Sequence, residues 1–250
     1  MTTLVTNIGQ LATPEGRGAA FGPSMGTVRL FEGVEVLLSG GRIDAVGPIG
    51  SFAGKRPIDE TIDARGGVVL PGLIDPHRHL GAPCIPDGGI VPRSTRRRDE
   101  DTDGRLVRAL RRGLAGGTCT VGIKCGADAN SADELDLLRS VREVDSMLPM
   151  RVSSAFLGTP RGTVARARDD RISALIGESI PAVRRRRLTR FCDVACGAGG
   201  YAPSEAETIL RAARGAGLIP KIHVMESELD AAALLAARLG AARQGKARRG

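Results

Sequence analysis

The chain has 250 residues, enough for one large domain or for a large domain with a small companion, so its size does not call for disulfides or a structural metal. Apolar residues make up 42% and aromatic residues only 2%, so the core must be built from Leu, Val, Ile and Ala. The net charge of +8 comes almost entirely from arginine, and few rings are present for base stacking, so we expect no nucleic-acid partner.

The sequence also predicts a cytoplasmic protein with no membrane partner. No uncharged apolar run approaches the roughly 20 residues that a membrane helix needs. The first residues show no charged leader followed by an apolar stretch. The five cysteines are odd in number and form no C-x-x-C pair, which favours reduced and mostly buried thiols.

Residues 1–65 are predicted to form a small β domain that consists of an antiparallel β layer. The stretch is rich in glycine and turn residues and contains short β-like runs. Ser39-Gly40-Gly41 separates two of them and indicates a hairpin. The runs are 27–30, 34–38, 42–46 and 61–63.

Residues 66–250 are predicted to form the second domain, because short apolar runs alternate there with helical patterns, as in a parallel α/β sheet. The tail from Gln244 is expected to be disordered. The predicted strands are 73–77, 118–124, 151–156, 191–195 and 218–224, and the predicted helices are near 103–116, 131–145, 169–187, 204–215 and 228–240. This gives five strand-helix units.

The segment with the most chemical information is 70–80, which contains His77 and His79. Residues at i and i+2 of a strand point to the same face, so both imidazoles can reach one ion while Arg78 points away. His223, the third histidine, ends the last predicted strand. All three then lie at the carboxyl ends of parallel strands, where barrel active sites form. The alternative is three unrelated histidines, each satisfied by hydrogen bonds.

Five segments, in order along nearly the whole chain, resemble the imidazolonepropionase family of the metal-dependent amidohydrolase superfamily. The first is the Pro-Gly-Leu-Ile-Asp-x-His-x-His segment that contains His77 and His79. The others are 117–126, similar to the family's second-strand segment ending in Lys-Ser-Gly; Phe156-Leu157-Gly158; Asp193-Val194-Ala195-Cys196; and the fifth-strand segment 221–226.

The resemblance implies an α/β fold: a partial (β/α)8, TIM-like barrel of about five βα units beside a small β-sandwich-like domain. It implies hydrolysis of a cyclic amide C–N bond, that of imidazolone propionate, with one divalent ion, Zn²⁺ or Fe, which activates a water molecule. His77, His79 and His223 match the family's metal ligands. Glu226 matches its catalytic glutamate, which relays a proton. The expected partner is a small-molecule substrate, with a homo-oligomer as a further expectation.

Three residues of the site region also have structural interpretations. Glu226 can be a solvated carboxylate just before a helix capped by Ser227. Lys124 can be a barrel-rim residue or a lysine that extends to solvent from a strand end. We expect Asp75 to make a structural hydrogen bond near the first-strand histidines.

The sequence departs from the family in ways that keep other functions open. The family's remaining metal ligand and a catalytic histidine come from its sixth and eighth strands, which this sequence lacks, so we expect a C-terminally truncated barrel with exposed edges. At the substrate-reading places, Ala127 and Thr159-Pro160 replace the family's tyrosine and histidine, and an unrelated loop from Gly81 replaces its arginine. The alternatives are another superfamily activity, such as a heterocycle deaminase, and a catalytically inactive remnant.

Overall fold

The computed structural model of the chain describes residues 1–14, 22–79, 102–125, 131–158, 165–197, 199–224, 229–240 and 242–245. The chain divides into two compact units, Met1–Gly72 and Leu73–Gly250. The sequence assigned residues 1–65 to a small β domain and residues 66–250 to a partial metal-dependent hydrolase barrel. This assignment stays a prediction. Among the described residues, no helix is both long and apolar enough to cross a membrane.

The first unit contains two small sheets that share one core. One sheet has the order β5-β4-β1-β6 and the other the order β3-β2-β7. Leu11 and Val36 come from different sheets and are buried in the same apolar cluster, which fits the expected sandwich-like domain. The strands are β1 (Thr2–Thr6), β2 (Gln10–Pro14), β3 (Val28–Phe31), β4 (Val34–Ser39), β5 (Arg42–Pro48), β6 (Glu60–Asp63) and β7 (Val68–Val69).

The hairpin prediction is confirmed, and the prediction of a wholly antiparallel layer is wrong. β4 and β5 pair antiparallel around Gly40 and Gly41, whose φ angles of 56° and 74° suit a tight hairpin turn. However, β1 pairs with β6 in parallel, and β2 with β7 in parallel. The sequence did not show β1, β2 or β7, because their pairing depends on contacts with distant segments more than on local patterning.

The second unit is a six-stranded parallel sheet in the order β13-β12-β11-β10-β9-β8, with helices between successive strands. The predicted α/β class, with five strand-helix units of a partial barrel, is confirmed. The strands are β8 (Leu73–His79), β9 (Thr118–Cys125), β10 (Arg151–Gly158), β11 (Phe191–Cys196), β12 (Ile219–Val224) and β13 (Ala242–Gly245). The helices are α1 (Thr102–Ala115), α2 (Ser131–Asp145), α3 (Ala165–Ala174), α4 (Ile180–Arg185), α5 (Pro203–Gly215) and α6 (Leu229–Leu239), with a π-helical turn, Leu175–Ser179, that joins α3 to α4.

The short strand β13 corrects the prediction of disorder for Gln244 and Gly245, and the rest of that predicted tail, 246–250, lies outside the described residues. Gln244 and Gly245 pair in parallel with His223 and Val224 of β12. The Ala-Arg-Gln-Gly sequence of β13 contains no β-branched or aromatic residue, so its propensity does not indicate a strand. The free edge of β12 supplies the backbone partner instead.

The main core lies on the side of the parallel sheet that the helices cover. Alternate strand residues such as Ile123, Phe156, Val194 and Ile222 are fully buried there against the helices. The residues between them in sequence project to the opposite face, because side chains alternate along a strand. We call that opposite side the concave face; it carries His77, Lys124, Asp193 and His223.

Cysteine burial gives a simple test of this packing. Cys119 is exposed, whereas Cys125, Cys192 and Cys196 are buried. Burial raises the pKa of Cys192 to about 12 and also raises the pKa of Cys125, which leaves almost no reactive thiolate at neutral pH. We expect iodoacetamide to label Cys119 of the native protein at least about tenfold faster than Cys125, Cys192 and Cys196. Peptide mass spectrometry reads each site separately; equal labelling of Cys192 and Cys119 in folded protein would contradict the packing.

Candidate metal centre

The concave face brings together two of the three predicted metal ligands. His77 lies in β8 and His223 in β12, and their ring centres are 4.8 Å apart with the ring planes tilted by 50°. His223 is buried, and His77 is partly buried. His79 is the last residue of β8, and its side chain lies outside the described part of the chain, as does the whole of Glu226.

This approach of two rings requires a strongly curved sheet. β8 and β12 are separated by three strands, and on a flat sheet they would lie about 19 Å apart. Imidazoles on such distant strands meet only when the sheet curls so that its two sides face each other, as in a barrel. The histidine pair is therefore a direct consequence of the curvature.

The spacing of the two rings suits a shared metal ion. Zn–N bonds are about 2.1 Å long, so two imidazoles on one tetrahedral ion have ring centres about 5 Å apart. The 4.8 Å separation agrees with that value. Among the described residues, no group of three or more His, Cys, Asp or Glu side chains could hold a metal. The full ligand set of His77, His79 and His223 stays a prediction.

A bulge in β8 sets the direction of His77. Asp75 pairs with Val121 and Arg78 with Ile123, so two residues of β8 face the single Gly122 of β9. The backbone N–H of His77 donates a hydrogen bond to Asp75 Oδ1 at 3.2 Å, which confirms the structural role expected for Asp75. After the bulge, His79 pairs with Lys124 and ends β8.

Gly122 makes this bulge possible, and sequence reasoning missed it. A Cβ atom at position 122 would lie 2.3 Å from the carbonyl oxygen of Pro76, which is far inside the contact distance and involves backbone that cannot rotate away. A glycine within an apolar strand run is the signal that was available, since such a glycine often marks a bulge or a close backbone approach. Gly122 thus permits the geometry that directs His77.

Lys124 lies on the concave face in an ion pair that the sequence did not indicate. Its Nζ donates a hydrogen bond to Oδ2 of Asp193, and both side chains are almost completely buried. The solvent-extended alternative is therefore wrong, whereas the place of Lys124 near the carboxyl end of β9, opposite His79, agrees with the barrel-rim alternative. Burial lowers the pKa of Lys124 to about 7, and the positive charge of Lys221 is the second cause. The available signal was a single charged residue within each of two apolar strands, Lys124 in β9 and Asp193 in β11.

Lys221, two residues before His223 in β12, adds a second positive charge to this region. Its Nζ lies 4.1 Å from the centre of the Phe191 ring, in a cation–π contact. Burial lowers its pKa. The described concave face thus contains two lysines and one aspartate around the histidine pair, an excess of positive charge that suits an anionic substrate.

Comparison with solved structures defines the class of this fold. The chain superimposes on molinate hydrolase with a TM-score of 0.59 at 18% identity, over 96% of this chain and 56% of that one. It superimposes on atrazine chlorohydrolase TrzN from Arthrobacter aurescens, complexed with zinc, with a TM-score of 0.55 at 20% identity, over 95% and 55%. For E. coli guanine deaminase the TM-score is 0.55 at 15% identity, over 95% and 56%. The chain therefore shares the fold of these two hydrolases and of guanine deaminase.

Sequence comparison narrows this class. The chain is 32% identical over 262 residues to the imidazolonepropionase of Alkaliphilus metalliredigens, covering 94% of this chain and 62% of the relative. It is 31% identical over 232 residues to that of Haloarcula marismortui, covering 82% and 55%. The chain matches no protein-family model. In sequence the chain is imidazolonepropionase-like, and it spans about three-fifths of the length of these relatives.

Replacing Gly122 tests the bulge. We expect Gly122→Ala to destabilise the protein by about 1–3 kcal/mol, because the added methyl group displaces β8 at Pro76. Gly177→Ala is the matched control: its Cβ would meet nothing within 4 Å, so its effect should be below about 1 kcal/mol and stabilising. Urea unfolding measures both, and equal stability of the two variants would show that β8 does not approach Gly122 closely.

Proposed function

We propose that this chain carries the metal centre of a hydrolase that opens a cyclic amide at its C–N bond. The observation that carries the proposal is the 4.8 Å approach of His77 and His223 on the concave face. His79 follows His77 by two residues in β8, and we assign it as the third ligand. Three imidazoles with one open position form a workable catalytic donor set for zinc.

The proposed metal ion would supply the activation of water and of the substrate carbonyl. When bound by these histidines, a divalent ion, Zn²⁺ or Fe, would activate water near neutral pH and polarise the carbonyl under attack. The solved relative TrzN contains zinc, which supports a divalent ion of this kind here.

The residues of the chain supply orientation and proton transfer. His77 and His223 face each other from β8 and β12, so a substrate carbonyl that reaches an ion held by both rings would lie between the two sides of the curled sheet. Glu226, three residues beyond His223, is assigned the proton transfer from the attacking water to the ring nitrogen that leaves. The positive charge of Lys221, two residues before His223 in β12, favours a substrate that carries a carboxylate.

Imidazolone propionate is the substrate that we propose, with formiminoglutamate as the product. The curated relatives at 31–34% identity are imidazolonepropionases, which supports this choice. The residues at 127 and 159–160 differ from those with which the family contacts its substrate, whereas His77, His79 and His223 match its metal ligands. A cytoplasmic location and homo-oligomer formation remain predictions of the same proposal.

Metal analysis tests the proposed centre. We expect the purified chain to bind about one metal ion, and His77→Ala and His223→Ala each to lose most of it, because two remaining imidazoles hold zinc weakly. Arg78→Ala is the matched control from the same strand: Arg78 projects toward Gly113 of α1, away from the concave face. Metal content by mass spectrometry, normalised to protein, is the measurement.

Two results separate the remaining alternatives. An absence of bound metal in the wild-type chain would favour a catalytically inactive remnant. Loss of imidazolone propionate in the presence of metal supports the proposed reaction, whereas release of ammonia from a heterocyclic amine without that loss would identify a deaminase instead.

A further inference from the structure

The Lys124–Asp193 pair joins the two strands that flank the histidine strands. Lys124 is in β9, which pairs with β8, the strand of His77. Asp193 is in β11, which pairs with β12, the strand of His223. The pair therefore crosses β10 and connects the neighbours of both histidine strands on the concave face.

The distance that the pair spans depends on sheet curvature. Lys124 is opposite Ala155 of β10, and Asp193 is opposite Leu157 of the same strand. β9 and β11 would lie about 10 Å apart on a flat sheet, with the two residues also offset along the strands. The small side chain of Ala155 leaves room for the lysine chain, and inward curvature brings its Nζ to the carboxylate.

Both charged groups of the Lys124–Asp193 pair are buried, so the loss of either partner is costly. Lys124 is 3% exposed and Asp193 is fully buried. Within the described part of the chain, Asp193 Oδ1 is buried without a hydrogen-bond partner, so Lys124 Nζ is the donor on which this carboxylate depends. Removing either partner leaves an uncompensated charge on the concave face, which a movement of β9 and β11 toward solvent would relieve.

We propose that the Lys124–Asp193 ion pair is a positioning element that fixes the separation of β9 and β11 and thereby brings His77 and His223 within reach of one ion. Apolar side chains of similar volume fill the same space without fixing a distance, because their contacts are not directional. The metal-binding part of this inference rests on the proposed function; the ring separation does not.

Nuclear magnetic resonance of the metal-free protein tests the ring separation directly. The chain has only three histidines, so its imidazole carbon-bound protons are readily assigned by single His→Gln variants. We expect a nuclear Overhauser cross-peak between the rings of His77 and His223 in the wild-type chain. Lys124→Met and Asp193→Asn should abolish this cross-peak.

A second variant separates positioning from stability. Lys124→Met/Asp193→Leu removes both charges and should recover the urea midpoint that either single variant loses, because a buried ion pair is often replaceable by apolar packing without loss of stability. We expect the double variant still to lack the cross-peak between the rings of His77 and His223. A folded double variant that keeps the wild-type cross-peak would overturn the proposal, even if a single variant fails to fold.

The buried pair Glu134–Arg171 provides a matched control. It joins α2 to α3 at 2.5 Å on the helix side of the sheet and is buried to a similar degree. Arg171→Met should lower stability and keep the His77–His223 cross-peak; loss of the cross-peak there would show that any buried charge defect disturbs the rings.

Cobalt titration distinguishes this inference from the proposed function. We expect Lys124→Met/Asp193→Leu to weaken Co²⁺ binding by about tenfold or more, as replacing outer-shell partners does, with the change read from the visible spectrum. A wild-type chain with the cross-peak but no Co²⁺ binding refutes the proposed function and leaves the positioning inference standing. Equal Co²⁺ affinity of wild type and double variant, with equal cross-peaks, refutes the inference alone.

Discussion

The candidate site depends on the curvature of the parallel sheet. His77 and His223 are carried by strands with three others between them, and only a curled sheet places their rings 4.8 Å apart. Curvature of this kind is expected where helices cover one face and right-handed strand twist accumulates across the sheet. The apolar core between the helices and the convex side thus stabilises the very shape that creates the site.

The two faces of the sheet have different chemistry. The helix side is packed with apolar side chains, and its main buried ion pair, Glu134–Arg171, joins two helices. The concave face instead carries the Lys124–Asp193 pair, on the two strands next to those of His77 and His223. A buried ion pair contributes little net stability to a fold. Its two partners must nevertheless stay in contact, because an unpaired charge in the interior is costly. Their presence on the concave face fits a part of the molecule where geometry matters more than stability.

Much of this arrangement could be predicted from the sequence, because it follows from local patterns. Alternation predicted that His77 and His79 share one face, and of these two side chains the structure describes that of His77. The end of an apolar run placed His223 near the carboxyl end of β12. The bulge opposite Gly122 and the pairing of Lys124 with Asp193 could not be predicted in the same way, since each depends on residues that meet only in the folded sheet. The same reason explains why β1 and β13 were missed.

Anomalous diffraction from crystals of the full chain soaked with Zn²⁺ tests the central claim most directly. The account predicts one anomalous peak about 2.1 Å from a ring nitrogen of both His77 and His223. Zinc bound to only one of these rings, or rings that lie on separate sides of an open sheet with no shared peak, would contradict it.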